Sequence, residues 1–355
     1  MIFLKVKLFN IFLIIFLVFP TSVIADSSKS SIVMDLDSGR VLYQNSANNQ
    51  TLIASTTKIM TAILAIEYGN LNKKVKVGEE ILAMYGTNIY VEVGEQLSLL
   101  DLIYGLLLRS GNDAAVVIAK EVGNSEAEFV KMMNVKAKEI GMKNTVFKNP
   151  HGLDEVTKNY STAYDMALLS KYAFSNKLYR KIVGTKKYEV STGEKTYLWY
   201  NRNQLLNDYK YCTGGKNGYT PSAGKTLVST ATKNNFNLTI VSLGDSDSYN
   251  NHQNLYEKIF SKYHRYTVID KNKFIFNEDL SNRKMYLKKS FYYPLTDSEA
   301  EDIRTVVHLF DNVSSAQVGV VNIYLKDEKI GSIPIYEQEK RKEKFSFLQW
   351  LKKLV

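Results

Sequence analysis

Strand-like runs stand at both ends of a block of helices, and no other feature limits the possible folds so much. Residues 31–36 and 40–44 flank the turn Asp37-Ser38-Gly39, the pattern of a β-hairpin. Strand character returns only from Tyr188, with runs at 210–219, 225–232 and 236–243. A hairpin alone is marginal in water, so the first pair must join the late strands in one antiparallel sheet, with the intervening helices laid over it. The expected class is α+β.

The helices announce themselves by period and caps. Ile59, Met60, Ile63, Leu64 and Ile66 recur at helical spacing over 56–68, and Gly69-Asn70 ends the run. Ser98-Leu99-Leu100-Asp101 opens a helix that continues through the apolar 102–108, followed by a polar loop at 109–113 and a helix over 114–122. Ser125 caps a helix that Gly141 ends, residues 149–154 form a loop, and Thr162 starts a helix reaching about 174. The last helix covers 249–263. Beyond Tyr266 come short strands at 305–309, 318–325 and 329–336, a second, small all-β domain.

The two ends differ from the rest. Lys5 and Lys7 precede an apolar run over 8–20 and the small-residue segment Val23-Ile24-Ala25, so 1–25 reads as a signal peptide and the protein as exported. At the other end, 338–355 is a basic run followed by a stretch whose Phe347, Leu348, Trp350, Leu351, Leu354 and Val355 share one helical side. That composition suits an amphipathic helix on a membrane surface. The expected units are therefore 1–25, a catalytic domain over 26–265, a β-rich domain over 266–337 and the tail over 338–355. The net charge of +10 then points to an anionic envelope surface, and no nucleic acid is expected as a partner.

Chemistry concentrates at Ser55 and Lys58. Residues three apart share a helix face, and serine beside an unprotonated lysine is an activated nucleophile. Ser-x-x-Lys occurs three times, at Ser55, Ser222 and Ser281, but only the first opens a strongly periodic buried helix. Two companions follow in order, Ser110-Gly111-Asn112 after an apolar helix and Lys216-Asn217-Gly218 on a strand. The four histidines show no paired spacing and no His-Glu-x-x-His is present, so neither a metal nor a cofactor is expected. Cys212 is the only cysteine, which excludes an internal disulfide framework, and it reads as a packed residue. Asp35 and Asp37 read as hairpin residues, Asp154 and Glu155 as loop solvation.

With Ala54-Ser55-Thr56-Thr57-Lys58-Ile59-Met60-Thr61, Ser110-Gly111-Asn112-Asp113-Ala114, Asn149-Pro150-His151-Gly152-Leu153 and Ser161 to Ala167, the chain resembles the serine-type D-alanyl-D-alanine carboxypeptidases, the low-molecular-mass penicillin-binding proteins. The resemblance implies a β-lactamase/transpeptidase-like domain followed by the small β domain and the C-terminal amphipathic helix. It implies peptidoglycan stem peptides as substrate and β-lactams as acylating mimics. Ser55 would be the nucleophile, Lys58 its base and Ser110 the proton relay, with Asn112 on the peptide backbone. Lys216, Asn217, Gly218 and Tyr219 would bind substrate, with the N–H groups of Ser55 and Tyr219 as oxyanion donors. The family commonly has threonine where Asn217 stands. A β-lactamase-type hydrolase, and a wall-binding protein weakened by Asn217, remain open as other readings.

Overall fold

A computed structural model of the protein describes residues 28–193, 195–276, 284–310 and 316–337; the expected signal peptide and tail lie outside the described residues. The first part begins with β1 (Ser30–Asp35), β2 (Val41–Asn45) and β3 (Thr51–Leu52). A 3-10 turn (Ala54–Thr57) leads into α1 (Lys58–Tyr68), followed by β4 (Lys74–Lys76) and β5 (Gln96–Ser98). α2 (Leu99–Tyr104) runs into a π-helical turn (Gly105–Arg109), then α3 (Asn112–Gly123), α4 (Glu126–Ile140), β6 (Tyr160–Ser161), α5 (Ala163–Ser175) and α6 (Lys177–Val183). β7 (Lys187–Ser191), β8 (Thr196–Tyr200) and α7 (Leu205–Asp208) precede β9 (Cys212–Thr220), β10 (Gly224–Lys233), β11 (Phe236–Leu243) and α8 (Ser248–Lys262).

The sheet order is β2-β1-β11-β10-β9, so the first hairpin does join the late strands, through β1 against β11. Both faces of that sheet are covered. Ile32, Met34, Val228 and Val241 pack into the core built by α1 to α6, while Val33, Leu227 and Ile240 meet Leu255, Tyr256 and Ile259 of α8 on the other side. Double burial is why these strands read as nearly continuous apolar runs. The chain departs from simple alternation because neither face is wet.

α1 is the central rod. Every residue from Lys58 to Ala65 is buried, so this helix is enclosed all round and not amphipathic. The expected helix over 56–68 therefore starts two residues later than its pattern, because Ala54–Thr57 winds more tightly as a 3-10 turn. The loop expected at 109–113 shrinks to Ser110-Gly111, since α3 begins at Asn112. The capping box at Ser98 and Asp101 forms as the sequence indicates. α6, the short α7 and the two-residue start of α3 were not marked by separate sequence signals.

The second part holds β12 (His264–Ile269), β13 (Met285–Leu287), β14 (Phe291–Leu295), α9 (Asp297–Glu301), β15 (Ile303–Leu309), β16 (Gln317–Leu325) and β17 (Glu328–Glu337). Four of its strands form a sheet in the order β13-β17-β16-β15 over a small core of Val321, Ile323, Ile333 and Ile335. No helix among the described residues is long and apolar enough to cross a membrane.

Arg40 clasps the two parts. Its guanidinium meets both carboxylate oxygens of Glu299, at 2.5 and 3.1 Å, and donates to the Pro294 carbonyl. It also lies over the rings of Tyr263 and Tyr293. Burial acts to raise the Glu299 carboxyl, but the hydrogen bonds from Arg40 and Thr296 outweigh it and hold the group below its ordinary value. A carboxyl depressed in this way contributes stability at neutral pH that is lost as the pH falls through its folded value. Arg40→Met should lower unfolding free energy by about 1–3 kcal/mol at neutral pH. In urea titrations the gap to wild type should close below about pH 4.

Candidate active site

Ser55 sits where α1, α3, β9 and the 149–154 loop meet. Ser55 lies in the 3-10 turn behind Ala54, which has a left-handed φ of 47°. Strained backbone of this kind is kept only where surrounding contacts enforce it. Thr56 Oγ1 and Thr226 Oγ1 both donate to the Ile53 carbonyl, at 2.6 and 3.2 Å, tying the turn to β10.

Lys58 is wholly buried, and its Nζ has three oxygen neighbours: Ser55 Oγ at 3.0 Å, Asn112 Oδ1 at 2.7 Å and the His151 carbonyl at 2.6 Å. Burial pushes the amine well below its ordinary value, and the Lys216 charge adds to that; Asp113 opposes it, and Arg202 pushes the same way. A neutral amine has two N–H groups and one lone pair. Asn112 Oδ1 and the His151 carbonyl can only accept, so they take both N–H groups. The lone pair is left for the Ser55 O–H, which is the arrangement of a base poised on its nucleophile.

Each acceptor is itself fixed. Asn112 Nδ2 donates to the Tyr85 carbonyl at 2.7 Å, which sets the amide so that its oxygen faces Lys58. The Asn112 oxygen is thereby held on Lys58. The His151 carbonyl is presented by a knot of amides. Asn149 Oδ1 accepts from the Gly152 N–H at 2.7 Å, and Asn159 reaches Thr57 Oγ1 and the Asn149 carbonyl. Thr61 Oγ1 donates to the Pro150 carbonyl at 2.6 Å, pinning the loop onto α1. The His151 ring is held neutral, with burial and then the Lys58 charge lowering it to about 3. Asp154 differs from its expected role as loop solvation: it is buried and accepts from Thr220 Oγ1 at 2.6 Å, joining the loop to β9. Glu155 is exposed, as expected.

Ser110 ends the π-helical turn with a left-handed φ of 67° and is 5% exposed. Its hydroxyl has no partner among the described residues. On the far side of the cleft, β9 is the edge strand. Gly218 brings it against the nucleophile, since a Cβ there would sit 2.7 Å from the Ser55 nitrogen. Lys216 is buried, and burial followed by the Arg202 charge lowers its amine to about 7. Its Nζ donates to the Asn217 carbonyl at 2.6 Å.

Beyond Gly218 opens a cavity of about 460 Å³ lined by Arg202, Asn217, Gly218, Tyr219, Thr226 and Tyr249. Arg202 was not foreseen. It is exposed, its Nη1 donates to Thr87 Oγ1 at 3.0 Å, and its charge reaches both lysines. Its place between a strand and a short helix gives no periodic signal. The structure thus brings Ser55, Lys58 and Asn112 into direct contact, sets Gly218 against Ser55, and puts Asn217 and Tyr219 on the cavity wall. Cys212 stays outside this set; its half-buried thiol is raised to about 11 by burial. No cluster of metal-binding side chains exists among the described residues.

Comparison with known proteins agrees with this geometry. Residues 19–247 match the family model of peptidase S11, D-alanyl-D-alanine carboxypeptidase. The chain is 32% identical to D-alanyl-D-alanine carboxypeptidase DacF of Bacillus subtilis, over 94% of this chain and 90% of that one. Among solved structures it is similar to penicillin-binding protein 5 from Haemophilus influenzae, with a TM-score of 0.74 at 25% identity over 88% of this chain and 96% of that one. D-alanyl-D-alanine carboxypeptidase DacD from Francisella tularensis superimposes with a TM-score of 0.69 at 25% identity, covering 88% of this chain and 93% of that one. The chain belongs to the peptidase S11 family of serine-type D-alanyl-D-alanine carboxypeptidases, the low-molecular-mass penicillin-binding proteins.

Proposed function

We propose that Ser55 removes the terminal D-alanine from peptidoglycan stem peptides with Lys58 as its base. The observation that carries this reading is the Lys58 amine, buried with two acceptors and the serine hydroxyl. Ser55 Oγ attacks the carbonyl of the penultimate D-alanine as its proton passes to Lys58 Nζ. The Asn112 oxygen and the His151 carbonyl then hold the ammonium that forms. Ser110, whose hydroxyl has no competing partner, passes the proton to the departing amine, and D-alanine leaves. Water then hydrolyses the acyl-enzyme with the same groups in reverse. A β-lactam offers the same carbonyl, so its acyl-enzyme forms on the same oxygen.

Substrate lies along the outer edge of β9, adding to the sheet through main-chain bonds. The Ser55 and Tyr219 N–H groups receive the developing oxyanion. Lys216 and Arg202 attract the terminal carboxylate, and the Asn217 amide donates where the family commonly places a threonine hydroxyl. Asn112 acts as a positioning residue for Lys58. The division at 26–265 and 266–337 assigns this chemistry to the first unit, and the second separates it from the tail. Export by residues 1–25 and attachment of 338–355 to the outer membrane surface complete the reading. The β-lactamase and the wall-binding alternatives are not favoured, because the relatives reported above are carboxypeptidases along nearly the whole chain.

Intact mass after incubation with benzylpenicillin should rise by one ligand in wild type and not in Ser55→Ala. A wild-type protein that neither acylates nor releases D-alanine from a pentapeptide overturns the reading. Gly218→Ala should push β9 from the Ser55 nitrogen and cut acylation by about 10²-fold or more, the scale of a lost oxyanion donor. Lys216 loses its charge as pH rises through about 7, so KM for the peptide should climb above that pH. Lys216→Arg, which stays charged, should flatten that climb; an unchanged KM profile in both proteins would remove Lys216 from carboxylate binding.

A further inference from the structure

A larger concavity, of about 900 Å³, opens away from the catalytic cavity, where α5 and α6 meet the lower end of the sheet. Its wall carries Lys171, Lys177, Arg180 and Lys181 against one carboxylate, Asp37. That carboxylate is already engaged, by Arg265 at 3.7 Å and by Asn237 Nδ2 at 3.2 Å. Among the described residues no carboxylate pairs with Lys171, Lys177 or Lys181. Arg180 is fixed in place by donating to the Phe174 and Ser175 carbonyls at the end of α5. Like charges gathered in a hollow repel one another, and the single Asp37 carboxylate leaves most of that charge unbalanced.

We propose that this groove binds a linear polyanion with a phosphodiester backbone, gripped by Lys171, Lys177, Arg180 and Lys181. Three features select that occupant. Lys177 and Lys181 are a turn apart on α6, about 6 Å between Cβ atoms, which presents cations in series to a chain of repeated charges. Both are exposed and Lys171 is half-buried, so the groove holds no desolvated cradle for a compact anion; its attraction comes from releasing counterions along a polymer. The surface is concave, and a flat bilayer cannot enter it. Single-stranded nucleic acid would need an open aromatic face, but the only ring in the groove, Phe174, is covered by the Arg180 guanidinium at 5.1 Å.

The place of the groove gives the binding a purpose. Thr213 on its wall and Gly218 beside Ser55 belong to the same strand, five residues apart, or roughly 17 Å at about 3.3 Å per residue. A polymer lying in the groove would hold the cleft close to the envelope material it is embedded in, without occupying the cleft.

The test uses the full chain and fluorescently labelled poly(glycerol phosphate), read by anisotropy. Four contacting cations predict a fall in affinity of about fiftyfold between about 50 and about 200 mM salt. Lys171→Gln/Lys177→Gln/Lys181→Gln should weaken binding at low salt by about tenfold or more. A control of equal charge on another face, Lys74→Gln/Lys76→Gln/Lys138→Gln, should stay within about twofold of wild type. Benzylpenicillin acylation should be unchanged in both, showing that each variant is folded. Equal weakening in the two triple variants would reduce the effect to net charge and overturn the proposal. So would groove-dependent binding to anionic phospholipid vesicles or a DNA oligonucleotide at least as tight as to the polymer, or the lack of polymer binding by wild type at low salt.

Discussion

The burial of one amine governs this molecule. Lys58 lies inside a helix enclosed on every side, where a charged ammonium would be costly and a neutral amine is not. A neutral amine there needs acceptors for its two N–H groups and a donor for its lone pair. That requirement explains why the Asn149–Asp154 loop is stitched so densely, why Asn112 is turned by the Tyr85 carbonyl, and why α3 starts as close to α1 as it does. The sheet, the helices and the loops are the means of placing three oxygens around one nitrogen.

Most of the frame was legible in the chain, for a reason that is local. Caps at Ser98, Ser125 and Thr162, the period of Ile59, Ile63 and Ile66, and the turn at Ser38-Gly39 all act through neighbours in sequence, so their consequences can be read there. The sheet order followed because a hairpin at the start had only the late strands to join. Ser55, Lys58 and the two companion motifs stood out in the chain by the same logic of order and context. What escaped was contact made by backbone or across long separations. The His151 carbonyl has no side-chain signature, since any residue supplies a carbonyl. Asp154 looked like a loop carboxylate until Thr220, 66 residues away, took its place as donor. Arg202 reaches the site across the gap between two elements whose packing no pattern announces.

The carboxylate side of the site shows how a departure from the family pattern is absorbed. Asn217 stands at a half-buried edge position, with its carbonyl already taken by Lys216 and its side chain beside Tyr249. The Tyr249 hydroxyl in turn donates to the Arg202 carbonyl at 3.2 Å, so the amide, the phenol and the arginine backbone form one chain of polar contacts. Replacing a small hydroxyl with a longer amide thus occurs in a neighbourhood that has polar groups to receive it. Two buried lysines, Lys216 and Lys58, share that neighbourhood, and the Lys216 charge makes Lys58 easier to deprotonate.

The edge strand β9 has a meaning apart from catalysis. An open sheet edge offers unpaired N–H and C=O groups to any passing strand, including that of another copy of the same chain. Among the described residues no further strand pairs with it on that side. Part of its protection lies in its own sequence. Gly214 and Gly215 depart from regular strand geometry, with φ of 154° and 146°, and Lys216 points a cation inward at the middle of the strand. An inward lysine and an irregular glycine pair are what keeps an exposed edge from recruiting its own kind. Protection of the edge therefore rests on a few residues, and a drift at Lys216 toward an apolar side chain would weaken it.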